Sequence, residues 1–167
     1  EQPVLYFAET EVYTGGSVDT DWNMERPQIS IRHGEDLQDK VSIRFGFRTI
    51  EVRPDEGFLL NGQVRKFRGV CLHHDLGPLG AAINKAAVRR QLTMLKDMGC
   101  DAIRTSHNMP AEELVELCDE MGFMVMCENF DEWDRAKCKN GYHRFFNEWA
   151  ERDMISMLHH FRNNPSV

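Results

Sequence analysis

Three short stretches gather the side chains able to do chemistry. They are Cys71-Leu72-His73-His74-Asp75, Ile103-Arg104-Thr105-Ser106-His107-Asn108 and Cys127-Glu128-Asn129-Phe130-Asp131-Glu132-Trp133. Together they offer imidazoles, a guanidinium, amides, carboxylates and an indole. That set suits an uncharged polyol, whose hydroxyls take planar donors and acceptors and whose C–H face packs on an aromatic ring. A phosphate ligand would want a Gly-rich turn at a helix start, and none follows these stretches. Each residue also has a structural reading. A strand-end His can be a plain hydrogen-bonder, Arg104 can neutralise Glu128, and Asp131 and Glu132 can be solvated loop acids. Cys71, His73, His74 and Cys127 could meet as zinc ligands, but their spacing matches no familiar zinc signature and a buried Cys is usually a small hydrophobe. His159-His160 and Arg89-Arg90 fall on helices away from these stretches and read as surface.

The elements that must carry these stretches change rhythm along the chain. Val4, Tyr6, Val12 and Tyr13 punctuate a first strand-like stretch, and Ile29 and Ile31 flank Ser30 in another. Val41, Ile43, Phe45 and Phe47 alternate with polar or small residues, predicting a strand with one buried face. Gly46 within it predicts a bulge or bend. Too few strands are present for a whole sandwich. Asn61-Gly62, between Phe58-Leu59-Leu60 and Gln63-Val64, has the chemistry of a tight hairpin.

From Phe67 onward strands alternate with amphipathic helices. A strand over 67–72 is followed by a helix capped by Asn84, with an inward stripe of Val88, Leu92, Leu95 and Met98 ending at Gly99. A strand over 100–104 leads to Pro110 in a first helical turn, with Glu112 and Glu113 favouring the helix start. Leu114, Leu117, Cys118 and Met121 form that helix's buried stripe, and Gly122 stops it. The run 123–127 is apolar without alternation, as in a strand covered on both faces. A last helix carries Phe146, Ala150, Met154, Met157 and Phe161 and ends at Asn163-Asn164-Pro165. This order is that of a parallel sheet with crossover helices, either doubly wound or a (β/α) barrel, in which working residues gather at the carboxyl ends of strands.

Composition excludes several classes. The net charge of −7 argues against a nucleic-acid surface. No apolar run approaches the length of a membrane span. The five cysteines include no Cys-x-x-Cys pair. They read as free thiols and lean slightly toward the cytoplasm, with a periplasmic or secreted location left open. With no initiator Met and only part of a barrel, the chain reads as an internal piece of a longer protein.

Phe45-Gly46-Phe47-Arg48-Thr49-Ile50-Glu51-Val52, Phe58-Leu59-Leu60-Asn61-Gly62 and Arg68-Gly69-Val70 resemble the junction in family 2 glycoside hydrolases where an immunoglobulin-like sandwich meets the catalytic barrel. The resemblance continues through Ala102 to Asn108, Leu117 to Phe123, Asn147 to Asp153 and Arg162 to Val167. It implies an α/β fold: the first three βα units of a (β/α)8 TIM barrel over 53–167, preceded over 1–52 by the C-terminal part of an immunoglobulin-like β-sandwich.

The activity implied is that of a retaining β-glycosidase, most similar to a β-galactosidase, with β-glucuronidase or β-mannosidase as the alternative. A non-catalytic fragment or carbohydrate-binding remnant is the alternative of another class. Two glutamates roughly 5 Å apart do the chemistry in such enzymes. The resemblance puts both beyond Val167, the acid/base in a Trp-Ser-x-Gly-Asn-Glu motif, so no catalytic residue is expected here. It assigns His73, His107, Asn108, Asp131 and Trp133 to the carbohydrate and makes Arg104 and Glu128 a supporting pair. Cys127 stands where many members have Asp, and Asn164 where His is common. The magnesium-binding acid-and-histidine segment of some β-galactosidases is not seen after Glu128, so no cofactor or metal is expected from this stretch. A divalent cation held elsewhere in the full-length enzyme, and the oligomeric state, stay open.

Overall fold

A computed structural model describes residues 3–15, 17–21, 28–32, 34 and 36–167. The chain divides into two units, one over 6–44 and the other over 45–167 with the segment before residue 6. In the first, β1 (Tyr6–Thr14) is hydrogen-bonded to β4 (Asp36–Phe45), and β2 (Ser17–Asp21) runs antiparallel to β3 (Gln28–Arg32). Lys40 on β4 bridges Glu9 and Glu11 on β1 at 3.1 and 3.0 Å. The alternation along β4 does not mark a buried face here, because Val41 and Ile43 are each 46% exposed. Strand β2 carries no clear alternation and was not foreseen.

The second unit opens with an antiparallel sheet of β5 (Ile50–Arg53), β6 (Gly57–Leu60) and β7 (Gln63–Val64). Asn61 and Gly62 join β6 to β7 with φ of 51° and 75°, the pair of positive values that a two-residue hairpin demands. Asn61 also accepts from the Thr49 backbone N–H at 2.9 Å, tying the hairpin to the strand entry before it. Gly46 makes no bulge. Strand β4 ends at Phe45, and a Cβ on Gly46 would lie 2.8 Å from Pro165 Cγ, so close approach is what requires glycine.

The rest alternates strand and helix: β8 (Gly69–Leu72), α1 (Lys85–Asp97), β9 (Ala102–Thr105), α2 (Glu112–Met121), β10 (Met124–Met126) and α3 (Phe146–Phe161). The strands form a parallel sheet in the order β10-β9-β8. Gly69 lets β8 lie close to β9, since a Cβ there would meet the Ala102 carbonyl at 2.7 Å. The Asn84 side chain caps α1 by accepting from Ala87 N at 3.0 Å. Gly122, at φ 73°, ends α2 in the left-handed conformation.

Register assigns the faces. Val70, Ile103 and Val125 are partners and alternate with a second row made of Cys71, Arg104 and Met126. The first row meets the helices: Ile103 and Val125 pack with Val88 and Leu92 of α1 and Leu114, Leu117 and Cys118 of α2. Each of these aliphatic side chains contributes about 1.5–3 kcal/mol by leaving water. Val115, Met157 and Phe161 form a second cluster between α2 and α3.

Three readings of this region need correction. Met98 is 73% exposed, because α1 has ended at Asp97 and the chain is turning into Gly99. Pro110 precedes the cap residue Ala111 and lies outside the first helical turn. Strand β10 is not covered on both faces, since Met126, on the row away from the helices, is 66% exposed.

Beyond α3 the chain returns to the sheet. Ser166 O accepts from Val125 N at 2.7 Å, beside β10 where a further parallel strand would lie. Asp119, buried on α2, holds this return by accepting from Asn164 Nδ2 at 2.6 Å and Ser166 N at 3.0 Å. Arg48 donates to the Val167 carbonyl in the same place.

Candidate active-site wall

The cluster at the carboxyl ends of the three parallel strands is built outward from backbone register. Arg104 occupies the last pairing position of β9 with β10, opposite Met126 on one side and Cys71 on the other. Its guanidinium therefore rises from the face away from the helices. Nε makes an ion pair with Glu128 Oε1, and Nη1 donates to Cys71 Sγ at 3.4 Å. Glu128 is itself placed by Thr105, whose buried hydroxyl accepts from the Glu128 backbone N–H at 3.0 Å. The second Glu128 oxygen takes His107 Nδ1 at 2.7 Å, and Arg104 Nη2 lies 3.4 Å from the same ring nitrogen. His73 meets His107 edge-on, with centroids 5.5 Å apart. The Ser106–His107 peptide is cis.

The electrostatics follow from these contacts. Cys71 first, and then Glu128, hold the Arg104 guanidinium further toward its charged form. The Cys71 thiol is held below its ordinary range by the nearby Ser106 hydroxyl, which makes no hydrogen bond of ordinary geometry among the described residues, and then by Arg104, which does. Cys127, partly buried after β10, is pushed up to about 11 by desolvation. With Nδ1 committed to Glu128, the neutral His107 ring carries its proton there and leaves Nε2 to accept from a hydroxyl. Arg104 is engaged by Cys71 and Glu128, and His73 and His107 lie together beside this pair.

The remaining expected residues are distributed more widely. Asn108 is exposed and lines a shallow solvent-open recess with Leu72, His74, Ile83, Ser106 and Met109. Asp131 is exposed and pairs with Lys137 at 3.3 Å. Trp133 is 67% exposed and stacks on Phe146 at 6.2 Å with planes 11° apart. Phe130 stacks on Tyr142 at 4.8 Å beside it. The proposed zinc set does not converge: His74 turns at φ 52° to meet the Ala81 carbonyl at 2.9 Å, and Cys71 is held by Arg104. Among the described residues no three His, Cys, Asp or Glu side chains lie together as an ion site.

Glu132 corrects one reading outright. It is no solvated loop acid but 3% exposed, accepting from Lys137 N at 2.6 Å and His143 Nδ1 at 3.2 Å, with Cys138 Sγ at 3.8 Å. The Lys137 amide first, then the His143 side chain and charge, hold its carboxyl below the usual range. Gly141 faces it, and a Cβ there would overlap the carboxylate. Cys71, Thr105 and Glu132 were thus missed as site-building residues. Only Thr105 left a sequence signal, a hydroxyl at a strand end next to Arg104.

Parallel strands joined by crossover helices, with a polar cluster at their carboxyl ends, define an α/β enzyme-type sheet with its site at the strand ends. The chain belongs to glycosyl hydrolases family 2: residues 50–167 match that family's TIM barrel domain. It is 46% identical over 151 residues to the β-galactosidase BoGH2A of Bacteroides ovatus, which covers 87% of this chain and 18% of that protein. A β-glucuronidase of Streptococcus agalactiae is 32% identical over 159 residues, covering 84% of this chain and 25% of that one. In structure it is similar to a β-glycosidase from Bacteroides vulgatus, with a TM-score of 0.77, 41% identity, and coverage of 83% of this chain and 18% of the other. The chain thus spans about a fifth of the length of the relatives it matches.

Proposed function

We propose that this chain supplies one wall of the sugar site of a retaining β-glycosidase that hydrolyses terminal β-D-galactosides. The observation that carries the reading is the Arg104–Glu128–His107 cluster at adjacent parallel strand ends. His107 and His73 take sugar hydroxyls, Asn108 and Asp131 add polar contacts, and Trp133 offers its exposed ring to a sugar's C–H face. Arg104 and Glu128 keep these groups in place. The two glutamates that act as acid/base and nucleophile belong to later barrel strands of the same protein. In this reading residues 1–52 come from the end of a preceding immunoglobulin-like domain and 53–167 from the start of the barrel domain, with β5 reaching across that boundary to pair with β6.

Galactoside is favoured by the 46% identity to a β-galactosidase, and glucuronide is the second reading, favoured by the 32% identity to a β-glucuronidase. The deciding experiment assays the complete gene product on chromogenic β-galactoside, β-glucuronide and β-mannoside. Galactoside should be cleaved fastest, and His107→Ala should lower kcat/KM by about 10–100-fold, the worth of one or two hydrogen bonds to a buried polar group. Cleavage of glucuronide alone would transfer the assignment to the second reading. Sugar binding without cleavage of any substrate would make the protein a carbohydrate-binding remnant.

A further inference from the structure

We propose that Cys71 is a positioning residue for this sugar site, holding Arg104 from the first parallel strand as Glu128 holds it from beyond the third. The inference rests on the glycosidase reading of the cluster. Cys71 and Arg104 are register partners across β8 and β9, so both side chains leave the same face of the sheet. Arg104 Nη1 donates to the sulfur at 3.4 Å, while Nε is paired with Glu128 and Nη2 lies by His107 Nδ1.

A guanidinium is a flat fork, and one contact leaves it free to swing about that contact. Two contacts from opposite sides fix its plane. Removing the sulfur frees the Nη1 edge, lets the fork turn about its Nε–Glu128 contact, and loosens the carboxylate that orients the imidazole. The groups facing the sulfur are Ser106, Arg104 and Glu128, and the first two favour its thiolate, the stronger acceptor. The contrast lies within the chain. Cys138 is also exposed, but its contact is the Glu132 carboxylate at 3.8 Å.

The test has two arms on the complete gene product. In the first, iodoacetamide labelling of Cys71 is followed against pH by peptide mass spectrometry, with Cys138 as the internal reference. Arg104→Met should move the Cys71 midpoint upward and leave that of Cys138 in place; an unmoved Cys71 midpoint overturns the contact. In the second, Cys71→Ala should lower kcat by about tenfold on whichever β-glycoside the wild type cleaves, with KM and thermal midpoint little changed, about the worth of one charge-assisted hydrogen bond. Cys71→Ser, whose hydroxyl can accept from the same fork, should recover most of the loss. A fully active Cys71→Ala, or a Ser variant as slow as the Ala variant, overturns the positioning role. An inactive wild type whose labelling still depends on Arg104 refutes the glycosidase reading and with it the catalytic use of Cys71, leaving only the contact.

Discussion

Removal of Asp119 should cost this barrel arc heavily. Its carboxylate is 3% exposed and accepts from the Ser166 backbone N–H and the Asn164 amide. It also faces the Arg48 guanidinium, whose charge is disfavoured by burial and favoured by Asp119. Asp119→Ala removes the acceptor for two donors and the counter-charge of a third group. A buried donor left unpaired costs about 1–3 kcal/mol. Two donors lose their acceptor and Asn164 is only partly buried, so a net loss of about 2–4 kcal/mol is expected. For a domain stable by about 5–15 kcal/mol that is a large share. With a urea slope of about 2 kcal/mol per molar, the unfolding midpoint should fall by about 1–2 M. Asp119→Asn keeps one acceptor oxygen and turns an amide N–H₂ toward one donor, so its midpoint should lie between. Equilibrium urea unfolding followed by circular dichroism measures all of these. A shift smaller than about 0.5 M for Asp119→Ala would show that the return of the chain to the sheet does not depend on this carboxylate.

Three further outcomes follow from the loop and the helix start. Glu132 has a folded pKa below its ordinary value, so its stabilisation is complete above the normal carboxylate range and is lost as pH falls through the folded value. Amide exchange over 131–143 should therefore accelerate on acidification, and Glu132→Gln should abolish that dependence; identical acid profiles would refute it. Gly141→Ala should destabilise by about 1–3 kcal/mol although its backbone, at φ −79° and ψ 177°, suits any residue, since the cost is overlap with the Glu132 carboxylate. Loss of protection at the Lys137 amide reports it. Asn84→Ala should cost about 1 kcal/mol in thermal or urea unfolding and Asn84→Asp much less, because only the side-chain acceptor at Ala87 N is at issue.

What the sequence disclosed was mostly local chemistry. Asn61-Gly62, Asn84 and Gly122 act on neighbours a few residues away, so their roles can be read from type and position. Arg104 and Glu128 were legible as a pair because opposite charges at the ends of successive strands have few other places to go. Cys71 was not, because its contact depends on register: a slip of one residue would turn it to the helix face. Glu132 was hidden for a different reason. Its partners at 137, 138 and 143 come from a loop that folds back on itself, and no periodicity encodes that closure. The alternation in β4 promised a buried face, yet alternation records which side chains share a face and says nothing of what covers it.

The closure around Glu132 has a consequence for how such a protein can change. A hoop pinned from inside by one carboxylate keeps its path whatever its outward residues are. Asp134 and Arg135 stand on the outside of that hoop, while Lys137 is held both by its backbone amide to Glu132 and by its ammonium group to Asp131, and Trp133 leans on Phe146. Substitutions at Asp134 and Arg135 can therefore accumulate with little cost to the strands and helices beneath. The hoop thus keeps apart the buried residue that fixes its path and the outward residues that can change without disturbing it.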